Sequence, residues 1–147
     1  MSYKGNSIYT CNARVPDKIA DITNWHKDRN LIDGSTDNAQ FTKLLEEVVE
    51  LYATLNPDTS ASDIVKVLQK QLRDMHTAGR VKMGDVDSSP ADDIGDINVV
   101  LINIAERNKL TMQECLDKAW SDIRHRKGKM VNGVFVKEAD LTGLPVK

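Results

Sequence analysis

Cysteine, proline and aromatic residues are all scarce in this chain of 147 residues. Its two cysteines, Cys11 and Cys115, stand alone and form no Cys-x-x-Cys or paired Cys/His spacing, which argues against a zinc site. No apolar run approaches the roughly 20 residues that cross a bilayer, and residues 1–10 lack the apolar core of a signal peptide. With a formal net charge of −2, the chain has no global positive field for nucleic acid. We therefore expect a single cytoplasmic domain, residues 1–147, with no membrane partner and no nucleic-acid partner.

Apolar residues recur at helical spacing in five segments that are separated by Gly, Pro or Asn. The predicted helices cover about 17–32, 37–55, 60–75, 90–107 and 111–127. The expected caps are Thr36 or Asp37, Ser62 or Ser60, Ser89, and Thr111. Asn132-Gly133 between two apolar runs predicts a β-hairpin over 128–137. Residues 1–15 are expected to be irregular. The predicted fold class is all-α, an antiparallel helical bundle with a small C-terminal β-hairpin.

One group of carboxylates lies on the second predicted helix. At about 100° per residue, Glu46, Glu47 and Glu50 share the face opposite the apolar stripe. A solvated acidic face is the plain interpretation of such a pattern.

A second group, Asp92, Asp93 and Asp96, opens the fourth predicted helix. The residues from Ile97 onward are apolar nearly all round, which predicts a central, buried helix. A lone buried carboxylate at Asp96 would need a pairing group or a metal. Gly95 costs about 1 kcal/mol against alanine inside a helix, so we expect another group to approach the backbone closely there.

Together the two groups predict a site for hard divalent cations. Glu47 and Glu50 on one helix, and Asp93 and Asp96 on another, each project as an i, i+3 pair that can clamp a cation between antiparallel neighbours. Four carboxylates without His or Cys favour Mg²⁺ or Mn²⁺, and such ions bind polyphosphates. A di-iron site is set aside because no Glu-x-x-His motif occurs.

The pattern Glu-Glu-x-x-Glu followed by acid-x-x-Asp resembles the all-α nucleoside triphosphate pyrophosphohydrolases of the MazG-like type. The stretches 41–45 and 94–97 are similar to the family's two metal-binding helices, and 116–137 is similar to short bacterial and viral members. The resemblance covers most of residues 20–140. The segment 57–89 is an insertion relative to that pattern, and Asp93 stands where the family usually has Glu.

The resemblance implies hydrolysis of a nucleoside triphosphate to the monophosphate and pyrophosphate, with a purine deoxynucleotide such as dGTP or dATP as the expected substrate. It implies Mg²⁺ (or Mn²⁺) bound by Glu47, Glu50, Asp93 and Asp96, and a homodimer or homotetramer. Glu46 is the candidate catalytic base, with the binding of a further cation as its alternative role. The candidate substrate-binding residues are Lys43, Asn98, Lys118 and Arg124, with the basic residues as triphosphate anchors and Asn98 as a possible reader of the base.

Two alternatives stay open. The chain is a non-catalytic helical interaction module if its acids are only solvated faces. It is an enzyme acting on another phosphoanhydride, such as dUTP or a signalling nucleotide, if the chemistry holds but the substrate differs.

Overall fold

The computed structural model of the chain describes residues 17–84 and 89–141. In chain order its elements are α1 (Lys18–Asp28), α2 (Asp37–Leu55), α3 (Ala61–Thr77), α4 (Ala91–Arg107), α5 (Met112–Ile123), β1 (Gly128–Val131), β2 (Val134–Lys137) and α6 (Glu138–Leu141). The predicted mostly helical fold with a small C-terminal hairpin is confirmed. The helix α3 occupies most of the predicted insertion, and the predicted irregular segment 1–15 lies outside the described residues.

Side-chain caps fix where most of the helices begin. Asp17, Thr36 and Ser60 each accept a hydrogen bond from a backbone N–H in the first turn of α1, α2 and α3. Thr111 and Glu114 form the predicted capping box of α5. The helix α4 begins one residue later than predicted. The predicted cap Ser89 accepts a hydrogen bond from the Ala91 N–H at 3.2 Å, although Pro90 itself supplies no side-chain cap.

The C-terminal hairpin closes through a tight turn at Asn132-Gly133. Both turn residues adopt the left-handed backbone region, with φ of 50° and 78°, as a two-residue turn of the primed type requires. The antiparallel register pairs Val131 with Val134 and Met130 with Phe135. Ser35, just before α2, donates a hydrogen bond of 2.5 Å to the Gly133 carbonyl and so ties the hairpin to the helical part.

The best-packed part of the molecule surrounds Trp25, where α1, α5 and the hairpin meet. Trp25 is 7% exposed and lies edge-on to Phe135, with ring centroids 5.4 Å apart. Its indole N–H donates to the Ile123 carbonyl at 2.9 Å. The Arg29 guanidinium lies 4.3 Å from the Trp25 ring centroid and donates to the Arg126 carbonyl. Trp25 is therefore a core residue whose polar atom is satisfied.

The other helices pack in pairs, α2 on α3 and α4 on α5. Ile64 of α3 and Ala105 of α4 are buried at these contacts. The prediction that α4 is a central, buried helix is wrong for the single chain, because every residue from 91 to 100 is exposed. The physical reason is that α4 packs on α5 near its C-terminal end and leaves its first half in solvent.

Candidate functional site

The acidic face of α2 forms as the helical spacing predicts. Glu46, Glu47 and Glu50 are all exposed, and Lys43 one turn earlier makes an ion pair with Glu46. The hydrogen bond to Glu46 raises the pKa of Lys43, partial burial opposes the rise, and the charges of Glu46, Glu47 and Glu50 add to it. Lys43 therefore remains a cation at neutral pH, held beside three carboxylates.

An open groove runs along this same face of α2. Glu46 and Glu50 border it, and its volume is about 380 Å³. The remaining lining is Thr42, Leu45 and Val49, so the groove combines carboxylates with apolar side chains. A surface of this composition can hold a cation only if further oxygen ligands arrive from elsewhere.

The acids of α4 lie on an open surface. Asp93 and Asp96 are exposed, and Asp96 is therefore not the buried carboxylate that the sequence led us to expect. The predicted close approach to Gly95 is also wrong for residues 17–84 and 89–141, because no atom of another element in these ranges lies within 4 Å of the position that a Cβ would take there. The first half of α4 thus presents acids, a glycine notch and exposed apolar side chains together.

One chain alone does not bring the two acid pairs into a metal centre. Among residues 17–84 and 89–141, no group of three or more His, Cys, Asp or Glu side chains is arranged to hold a metal ion. The C-terminal parts of α2 and α4 both line an apolar pocket of about 330 Å³, to which Leu51, Leu55, Leu101 and Ile104 contribute. Asp93 and Asp96 precede the pocket-lining part of α4, whereas Glu50 directly precedes the pocket-lining Leu51 on α2.

The other predicted substrate-binding residues are engaged locally or lie on the surface. Lys118 is 77% exposed and pairs with Asp122 one turn on, at 3.1 Å. Asn98 donates to the Ile94 carbonyl of its own helix at 2.8 Å. Arg124 is an exposed residue at the C-terminal end of α5. Lys118 and Arg124 therefore belong to α5 and its C-terminal end, whereas Asn98 shares α4 with Asp93 and Asp96.

Lys43 instead belongs to a pocket that sequence reasoning missed. This pocket lies between α1, α2 and the hairpin and has a volume of about 180 Å³. Its lining residues are Trp25, His26, Leu31, Gln40, Lys43, Arg126, Val134 and Phe135. The sequence signal was the basic run that ends α5, but nothing in that run distinguishes Arg126 from the neighbouring cations.

Comparisons with protein-family models, with curated proteins and with solved structures found no match for this chain. A search of the helices in the described part of the chain found none with both the length and the apolar character needed to span a membrane.

Proposed function

We propose that the chain is a Mg²⁺-dependent nucleoside triphosphate pyrophosphohydrolase of the MazG-like type that works as a homodimer or homotetramer. The observation that carries the proposal is the pairing of two features on each of two helices. On α2 and on α4, an i, i+3 pair of exposed carboxylates lies beside exposed apolar side chains, including Leu45 and Val48 on α2 and Ile97 and Val100 on α4.

Exposed apolar side chains supply the driving force for association of copies. Burial stabilises by about 25 cal/mol per Å² of apolar surface, and α4 leaves Ile94, Val99 and Val100 each more than half exposed. Contiguous apolar surface rimmed by charged residues is typical of a protein interface. Packing such helices between copies would build the antiparallel bundle that the sequence predicted, and the open notch at Gly95 would let a second backbone come close.

The same packing would bring the carboxylate pairs of α2 and α4 together. Carboxylates gathered at one site repel each other at neutral pH unless cations neutralise them. The donor set, Glu47, Glu50, Asp93 and Asp96, offers only oxygen and fits Mg²⁺ or Mn²⁺. When bound, such ions neutralise charge on phosphate oxygens and acidify a coordinated water.

Glu46 is the proposed base that orients the attacking water. Its carboxylate has Lys43 as an ion-pair partner, and this contact fixes where the carboxylate lies on the acidic face of α2. A Glu46→Gln variant should keep its metal-dependent stabilisation and lose turnover. Undiminished turnover in that variant would remove this role.

The decisive experiment measures pyrophosphate release from a panel of nucleoside triphosphates with and without Mg²⁺. We expect dGTP and dATP to be the best substrates, and the panel includes dUTP and signalling nucleotides to test the alternative phosphoanhydrides. Mg²⁺ or Mn²⁺ should also raise the melting temperature. At a metal concentration of 100 times the Kd, binding adds about 2.7 kcal/mol to the free energy of unfolding.

Asp96→Asn should abolish the metal-dependent shift in melting temperature. Glu106→Gln is the matched control, because it removes one carboxylate from the opposite end of α4. If metal leaves stability unchanged and no nucleotide is cleaved, the exposed apolar side chains of α4 favour the non-catalytic interaction module.

A further inference from the structure

The pocket between α1, α2 and the hairpin, called here the basic pocket, collects cations from distant parts of the chain. Lys43 comes from α2, and Arg126 comes from the segment between α5 and β1. Gln40 and His26 complete its polar lining, and no carboxylate is among the lining residues. Its lining therefore carries positive charge and hydrogen-bond donors in a molecule whose net charge is −2.

The Arg126 guanidinium is available for a ligand. In the described part of the chain it makes no hydrogen bond or ion pair, although other contacts fix its backbone. The Arg126 carbonyl accepts from Arg29 at 3.3 Å, and its N–H donates to the Ile123 carbonyl at 2.8 Å. A free guanidinium on a fixed backbone is well suited to bind paired oxygens of a phosphate.

Two further lining residues can donate hydrogen bonds. Burial lowers the pKa of His26, so its ring is neutral at pH 7 and offers one N–H without adding charge. The Lys43 ammonium has three N–H groups and uses one of them toward Glu46. The pocket thus offers hydrogen-bond donors from three kinds of group: the imidazole of His26, the ammonium of Lys43 and the guanidinium of Arg126.

The aromatic floor of the pocket argues for an anion and against a nucleobase. Trp25 is 7% exposed, and its ring is already covered by Phe135, His26 and Arg29. It therefore has no free face on which a base could stack. The volume of about 180 Å³ suits a compact ligand.

We propose that the basic pocket binds the pyrophosphate portion of the substrate, the linked β- and γ-phosphates, through Lys43 and Arg126. This assignment rests on the proposed function. Lys43 precedes Glu47 by one turn, about 6 Å along the helix axis, so a polyphosphate in the pocket reaches the acidic face of α2. The basic residue that anchors the leaving group together with Lys43 is then Arg126, in place of Lys118 or Arg124.

The test uses inorganic pyrophosphate as the probe, titrated into the full-length chain by calorimetry in the absence of divalent cations. Arg126→Gln should weaken pyrophosphate binding about tenfold or more, because it removes a charge-assisted contact. Arg124→Gln is the matched control: it removes the same charge two residues away, outside the pocket, and should leave the Kd within about twofold. Arg126→Lys keeps the charge without the guanidinium fork and should lie between them.

Melting curves of each variant show whether it is folded. If Arg126→Gln does not fold, the comparison of Arg126→Lys with Arg124→Gln decides. Equal Kd values for the folded Arg126 and Arg124 variants, or no binding of pyrophosphate to the unaltered chain at millimolar concentration, would overturn the basic pocket. Binding that depends on Arg126 in a chain that cleaves no nucleotide would support the pocket and reject the proposed hydrolase activity. If the chain releases pyrophosphate from a nucleotide but Arg126→Gln leaves the KM unchanged, the hydrolase activity would be supported and the basic pocket rejected.

Discussion

Trp25 and Val100 are both large apolar residues on helices, but Trp25 is 7% exposed and Val100 is 58% exposed. Around Trp25, hydrogen bonds join residues distant in sequence, such as Trp25 to Ile123 and Ser35 to Gly133. Around Val100, the side-chain hydrogen bond is the local one from Asn98 to Ile94. One region thus completes its packing within the chain, and the other does not.

On the proposed function, the exposed part of α4 is the part of the molecule that contacts a second copy. The run Ile97, Val99, Val100, Leu101 and Ile102 has the composition of a protein core, and leaving it in water forfeits burial worth about 25 cal/mol per Å². Charged or polar side chains at these positions would forfeit no such burial energy. The acid pair Asp93 and Asp96 lies on the same helix, so completing the core and completing the metal site would be one event.

The largest expected effect is the loss of the Trp25 cluster. Trp25→Ala should lower the free energy of unfolding by about 3–5 kcal/mol, because it leaves a cavity and removes the hydrogen bond to Ile123. Val100→Ala, measured at a concentration where single chains predominate, should change it by less than about 0.5 kcal/mol. Urea unfolding measures both. Equal losses would mean that the two regions do not differ in packing.

The second prediction concerns association. Val100→Asp should raise the dissociation constant of the homo-oligomer about 30-fold, equivalent to about 2 kcal/mol, because it places an unpaired carboxylate in the interface. Ile32→Asp is the matched control, since Ile32 is exposed to a similar extent, at 56%, but lies beside the packed cluster. Sedimentation velocity over a concentration series measures both. A monomeric unaltered chain would contradict the prediction directly.

Local rules predicted the fold elements well. The Thr111–Glu114 capping box and the Asn132-Gly133 turn each depend on a few neighbouring residues. Short stretches of sequence are therefore enough to predict their geometry. The burial of Trp25 also agrees with its usual place in a core. The α4 prediction was wrong because an apolar composition alone does not specify which other element of the chain, if any, packs against the helix, and residues 91–100 are exposed.

The candidate site was less accessible to sequence reasoning. The acidic face of α2 follows from helical spacing, because all its members lie on one element. The approach of Arg126 to Lys43 depends instead on how the hairpin folds back over α1 and α2, and a single sequence gives no distance between residues so far apart. The metal centre remains a prediction, since it requires surfaces that one chain does not bring together.

Gly95 offers a sharper test of whether another backbone approaches α4. In the isolated chain a Cβ at this position meets open space, so Gly95→Ala should stabilise the monomer by about 1 kcal/mol through helix propensity. In the oligomer the same methyl group should clash with the second copy and weaken association. Circular dichroism at low concentration and sedimentation at high concentration separate the two effects. Stabilisation with unchanged association would place the interface away from this notch.

The smallest expected effect belongs to the α5 cap, which needs no second copy. The Glu114 carboxylate accepts hydrogen bonds from the Thr111 N–H at 2.7 Å and the Thr111 hydroxyl at 2.9 Å, and these bonds lower its pKa below the ordinary 4.5. The unfolded chain therefore takes up the proton first as the pH falls.

The stabilisation by ionised Glu114 should be fully present above pH 4.5 and disappear as the pH drops through the lower folded pKa. Glu114→Gln keeps a side-chain acceptor but cannot titrate, so its stability should lack this pH-dependent component. Urea midpoints of the two chains at pH 7 and pH 3 measure the difference. Because the cap lies within one helix, the difference should persist unchanged in the Val100→Asp background. A dependence on association would mean that α5 also takes part in the contact between copies.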